Sequence, residues 1–157
     1  MIKKLLITIV IIIILGIGYY LISPLFINIK ADEAVPVSNT TDALTTLPTP
    51  KEIEIKSAQI IGTSGHEASG SVRIVSDGTG TYARYENFKT INGPDIYVYL
   101  AKDLDAKEYV SLGKVKATEG NINYKIPTSV NIKDYKYVMV WCKAFGVLFN
   151  YADISSL

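Results

Sequence analysis

One cysteine and one histidine bound the chemistry open to this chain of 157 residues. Cys142 stands in Val138-Met139-Val140-Trp141-Cys142-Lys143, and His66 in Gly62-Thr63-Ser64-Gly65-His66-Glu67-Ala68-Ser69-Gly70. A single Cys excludes an internal disulfide and any thiolate-caged zinc or iron–sulfur centre. A single His excludes a multi-histidine metal site. What remains is a redox thiol, a thiol or imidazole on an iron, or a Cys–His pair for acyl transfer. Side chains alternate along a strand, so Cys142 shares a face with Val138 and Val140, whereas Met139, Trp141 and Lys143 project from the other. That parity keeps Met139 and Cys142 off one metal or haem iron, and it puts the neighbouring cation on the wrong side. A functional thiolate needs exposure and a cation to stabilise it. Without them, a lone Cys in an apolar strand is a small buried hydrophobe.

His66 lies in a Gly- and Ser-rich loop. It reads either as a solvated turn residue or as a ligand or proton donor, and the residues alone leave both open. Asp95 follows Asn92-Gly93-Pro94 and is expected to pin that turn through hydrogen bonds to its own backbone. The glycines of Asp77-Gly78-Thr79-Gly80 join two strand patterns, unlike a phosphate loop, which joins a strand to a helix. The eleven Tyr suit half-buried strands and would also serve a binding face.

The elements that position these residues lie in 51–157, where apolar residues recur with a period of two. The first strand of this head is expected over Ile53 and Ile55 and again over Ala58-Gln59-Ile60-Ile61. Val72 to Val75 and Tyr82 to Tyr85 flank the Asp77–Gly80 turn as a hairpin. Ile96, Val98 and Leu100 alternate with Tyr97 and Tyr99. Tyr109–Leu112 and Ile122–Ile126 follow, the second stopping at Pro127. Tyr137–Cys142 is apolar on both faces and reads as a central strand. Phe145–Tyr151 closes the chain. About eight short strands and no amphipathic helix predict an all-β, antiparallel two-sheet sandwich, with a closed barrel as the alternative.

Ahead of the head, residues 1–30 read as a membrane anchor. Leu5–Ile27 is a 23-residue run without charge. As a helix at about 1.5 Å per residue it would reach roughly 34 Å, enough for a bilayer core of about 30 Å. Lys3 and Lys4 precede it, which predicts a cytoplasmic N-terminus and an extracytoplasmic head on a single-pass cell-membrane protein. The alternative is a cleaved signal peptide, but its apolar region is shorter than this run and Ser23-Pro24-Leu25-Phe26 is a poor cleavage context, so an uncleaved anchor is the expectation. Residues 31–50, with Pro36, Pro48, Pro50 and five Thr, predict a spacer that holds the head off the membrane. The sequon Asn39-Thr40-Thr41 falls within it.

Sixteen basic residues oppose fifteen acidic ones. Removing Lys3, Lys4 and Lys30 leaves thirteen basic against the same fifteen acidic residues, so 31–157 carries −2. This balance argues against nucleic acid as a partner, and a head of that charge has no general attraction to anionic headgroups.

Several stretches resemble the DM-thirteen domain family. His66-x-Ala68-Ser69-Gly70-x-Val72-Arg73-Ile74-Val75 is similar to its opening. Glu86-Asn87-Phe88-Lys89-Thr90-x-Asn92-Gly93-Pro94-Asp95-x-x-Val98-Tyr99-Leu100 is similar to its centre. Tyr124-x-Ile126-Pro127 and Trp141-Cys142-x-x-Phe145-x-Val147-Leu148-Phe149 resemble its close. The resemblance implies a β-sandwich of extracytoplasmic or surface proteins, in animals often beside DOMON domains linked to haem and electron transfer. It implies a redox role for Cys142, as a bare thiol or as a ligand to a group such as haem, with His66 as a second candidate. Asn92, Gly93, Pro94, Asp95 and Trp141 would be its structural signature. A redox partner protein is implied, although no DOMON neighbour shares this chain. Two other classes stand beside this reading. One is a surface binding or adhesion module with a core Cys. The other is a sortase-like acyltransferase, for which the Thr-Leu-x-Thr-Cys run is missing.

Overall fold

The computed structural model describes residues 1–36 and 56–157. The apolar run forms one helix, α1 (Ile2–Ile22), continued by a 3₁₀ turn over Ser23–Phe26. Pro24 lacks the N–H that would extend the α-helical ladder, so the ladder ends short of Ile27. No residue of α1 is buried. A helix of 21 residues, apolar all round and with no protein against it, is long enough to cross a membrane.

The described strands number ten and form two sheets of five. In spatial order the first sheet holds β1 (Lys30–Asp32), β8 (Glu119–Ile126), β5 (Thr81–Thr90), β4 (Ala68–Ser76) and β2 (Ala58–Gln59). The second holds β3 (Ile61–Gly62), β10 (Val147–Asp153), β9 (Tyr137–Cys142), β6 (Ile96–Ala101) and β7 (Tyr109–Lys114). Every pairing is antiparallel except β1 with β8. The two-sheet sandwich is therefore as predicted, and neither sheet closes into a barrel. β9 is the middle strand of its sheet, which explains why both its faces are apolar.

The core lies between the sheets. Val72, Ala83, Tyr85, Ile122 and Tyr124 of the first sheet meet Val98, Leu100, Val138, Val140 and Cys142 of the second. The expected first strand is split. Ala58–Gln59 pairs with β4 in one sheet, and after Ile60 the chain crosses to pair Ile61–Gly62 with β10 in the other. Ile53 and Ile55 lie outside the described residues, as do Val37–Pro50 and the sequon.

The segment after α1 differs from the expected spacer. Lys30, Ala31 and Asp32 pair with Glu119, Gly120 and Asn121. Just before them, the Ile29 N–H donates to Thr118 Oγ1 at 2.9 Å, and the Thr118 N–H donates to the Ile29 carbonyl at 2.7 Å. Gly120 makes this approach possible. Its φ is +119°, and a Cβ there would overlap the Ala31 carbonyl. Arg84, buried on the outer face of β5, holds the far side. Its Nη1 lies 3.0 and 3.1 Å from the carbonyls of Glu33 and Ala34, and 2.9 Å from Asn123 Oδ1. Together with the Glu86 carboxylate, 2.8 Å from Arg84 Nε, these groups satisfy the buried guanidinium.

Candidate functional site

Cys142 ends β9. Across the sheet it faces Ile96, the first residue of β6, on one side and Val147, the first residue of β10, on the other. This end of the sandwich, its base, also carries the turn Lys143–Gly146, the loop Ile91–Asp95 and the loop around His66. The Lys143 N–H donates to the Asp95 carbonyl at 2.9 Å, joining the first two of these.

The expected parity of β9 holds. Cys142 is a free thiol, wholly buried with Val138 and Val140 in the main core. Met139 and Trp141 belong to a separate cluster on the outer face of the second sheet. The Lys143 ammonium sits on that outer side as well, 5.6 Å from the centre of the Tyr97 ring.

His66 is half-buried and stacks on Phe149, with ring centres 4.1 Å apart. Its Nδ1 is 3.2 Å from Thr63 Oγ1. That hydroxyl is also 2.7 Å from the Leu148 carbonyl, which can only accept, so the Thr63 proton goes there. His66 Nδ1 is then the donor in this contact. Phe149 belongs to the same core cluster as Cys142 and Ile96. Gly93 lies against both it and Ile96: a Cβ there would come 2.9 Å from Ile96 Cγ2 and 3.0 Å from Phe149 Cζ. His66 and Gly93 thus meet at the Phe149 ring, which shares the main core cluster with Cys142.

Asp95 does not pin its turn as expected. Asn92 does this instead, its Oδ1 accepting the Gly93 N–H at 2.8 Å and its Nδ2 donating to the Ile27 carbonyl at 3.1 Å. The Asp95 carboxylate faces Lys114 at 3.4 Å. Pro94 is half-buried between them.

The base does not fit haem. A thiol wholly buried in a packed core leaves no gap at its sulfur for a macrocycle. The cavities at this end are small and lie elsewhere. One of about 320 Å³ is lined by Glu67, Ala68, Ser69 and Lys89–Ile91, and one of about 190 Å³ by Phe26–Asn28, Lys89–Asn92 and Thr118. Among the described residues no three His, Cys, Asp or Glu side chains gather into a metal-holding group.

A second feature is the outer face of the second sheet. Leu148, Trp141 and Tyr97 form one cross-strand row, and Tyr151, Met139 and Tyr99 the next. Tyr109 stacks on Tyr99 with ring centres 4.1 Å apart. Strand parity was enough to place Tyr97 with Tyr99 and Met139 with Trp141. It could not place Leu148 with Tyr151, because a register shift between Leu148 and Asn150 returns two residues three apart to one face.

Comparison with known families agrees with this architecture. A family model described as Electron transfer DM13 matches residues 60–154. Its span begins where the chain crosses from β2 to β3 and leaves out α1 and β1. No curated protein and no solved structure matches the chain.

Proposed function

The chain belongs to the electron-transfer DM-thirteen family, and from that premise we propose that it is a membrane-anchored electron-transfer module acting through the bare thiol of Cys142. The observation that carries this reading is the place of Cys142. It ends a central strand at the base, one residue from an exposed turn, within the family-matched span. The head lies on the extracytoplasmic side in this reading, supported by Lys3 and Lys4 ahead of α1.

A single thiol passes electrons by exchange. Its thiolate attacks a disulfide on an acceptor protein, so that the S–S bond breaks, a mixed disulfide forms and the released thiolate takes a proton. A donor dithiol then attacks the Cys142 sulfur, freeing the acceptor's second thiol. The donor's remaining thiol closes the donor disulfide and restores Cys142. Two electrons move from donor dithiol to acceptor disulfide. Because Cys142 is sealed, the turn Lys143–Gly146 and the His66–Phe149 stack must open first.

The test is reaction of the full chain with an aromatic disulfide reagent under native conditions. The expected result is a slow reaction whose rate stops depending on reagent concentration, the mark of a required opening. A thiol that reacts only on global unfolding would overturn the reading.

The full burial of Cys142, together with the aromatic outer face, favours a second reading. In it Cys142 is a core residue and the Tyr97–Trp141 face binds a partner. Full function in Cys142→Ala, combined with loss in Tyr97→Ser, would select it.

A further inference from the structure

The base of the sandwich and the end of α1 meet without slack. The apolar run ends at Ile27, and the carbonyl of that residue already accepts the Asn92 amide. Asn28 continues the contact, its Nδ2 donating to Glu119 at 2.8 Å and its Oδ1 accepting from Thr118 Oγ1 at 2.6 Å. Tyr19 and Tyr20 are exposed one turn before the end of α1, at the level where aromatic residues mark a membrane interface. The chain therefore passes from lipid to folded head within a few residues.

The surface at that end is suited to what it would meet there. Phe145 is 56% exposed at the tip of the turn after β9, and Val147 beside it is 37% exposed. Lys89 and Lys143 are exposed at the same end, and neither forms an ion pair among the described residues. Apolar tips with Lys89 beside them, and with the Lys143 ammonium near by over the Tyr97 ring, match the boundary between anionic headgroups and acyl chains.

We infer that the base of the head is a membrane-docking surface for the bilayer that holds α1. Phe145 enters the headgroup–acyl boundary, and Lys89 and Lys143 lie among the headgroups. The inference rests on the reading that α1 spans a membrane. One consequence is that Cys142 opens toward the bilayer, so that whatever reaches it comes along the membrane plane.

The experiment uses the full chain in vesicles of phosphatidylcholine and phosphatidylglycerol with bromine on the acyl chains. Trp141→Phe removes the native indole, and one Trp is placed either at Phe145→Trp or, at the opposite end of the sandwich, at Thr128→Trp. Strong quenching of the first and none of the second is the expected result. Protein that stays with the vesicles after an alkaline wash but shows no quenching at position 145 overturns the docking and leaves the anchor standing. Protein that washes off overturns the anchor and the docking with it. Equal quenching at both positions overturns the oriented base. Should Trp141→Phe unfold the head, nitroxides at Phe145→Cys and Thr128→Cys in a Cys142→Ala chain report the same contrast through their accessibility to lipid-dissolved oxygen.

Discussion

The side-chain amide of Asn92 donates to the carbonyl of Ile27 at 3.1 Å, so a loop of the head grips the last residue of the apolar run. The same side chain accepts from the Gly93 N–H, fixing the loop that supports Phe149. One residue therefore joins the end of the apolar run, the turn and the core at Phe149. Asn92→Ala removes both bonds and should cost about 1–2 kcal/mol. The change should be read as faster hydrogen exchange at the Gly93 amide; unchanged exchange there would mean that the turn is held by something else.

Gly120 is the point of closest approach between the segment after α1 and the sheet. Gly120→Ala places a methyl group on the Ala31 carbonyl and strains a φ of +119°. β1 should detach while the remaining strands persist, because β8 keeps its pairing with β5. Protease cleavage near Ala31 should rise at least several-fold, with little change in the far-ultraviolet circular dichroism of the head.

Replacing Cys142 by Ser tests more than the thiol. The site is wholly buried among apolar side chains, so a hydroxyl there loses its water without a built partner, at a cost of about 1–3 kcal/mol. Cys142→Ala avoids that penalty. We expect Ala to unfold at higher denaturant than Ser at this position, and a reversed order would mean that the thiol has a polar neighbour. Function is therefore better tested with the Ala variant.

Phe149 seals the base, with His66 stacked on it and Gly93 at its edge. Phe149→Ala should lower stability by about 3–5 kcal/mol. Phe149→Leu keeps most of the volume and should cost less. If Cys142 opens through this end, the Leu variant should react faster with the disulfide reagent than the parent chain, by more than its loss of global stability explains.

Acid should release the segment after α1 first. Burial raises the Glu86 pKa, but hydrogen bonds from Arg84 and Arg73 outweigh that and hold it below its ordinary value of 4.5. Glu33 is likewise held low, its burial outweighed by the Asn123 N–H and by Lys116. A depressed carboxylate pKa adds stability that is complete above 4.5 and is lost as pH falls through the lower folded value. Both groups serve the clamp on β1, Glu86 through Arg84 and Glu33 directly. Amides of 30–33 should therefore lose protection below pH 4.5 before those of Leu100 and Val140. Simultaneous loss would show that the clamp and the core are one cooperative unit.

Local pattern was enough for several conclusions. A long uncharged apolar run reads as a helix because a membrane would offer its backbone no other partner, and the helix is there. Period two and regular turns make strands, and parity put Cys142 and Trp141 on opposite faces, because alternation is a property of the strand itself; which face is the core was decided by the packing of the two sheets. Three features came only from the tertiary structure. β1 pairs with a strand some 90 residues away, as in Lys30 with Glu119, and three residues of ordinary composition carry no signal for that. The shift after Leu148 turns Leu148 and Tyr151 to one face because a bulge breaks the alternation on which parity depends. Asn92, which pins the turn through the Gly93 N–H, also finds an acceptor no local pattern shows, because the Ile27 carbonyl arrives from a distant part of the chain. Periodicity is local and can be read along the sequence, whereas the partner of a polar group is chosen by what folding brings beside it.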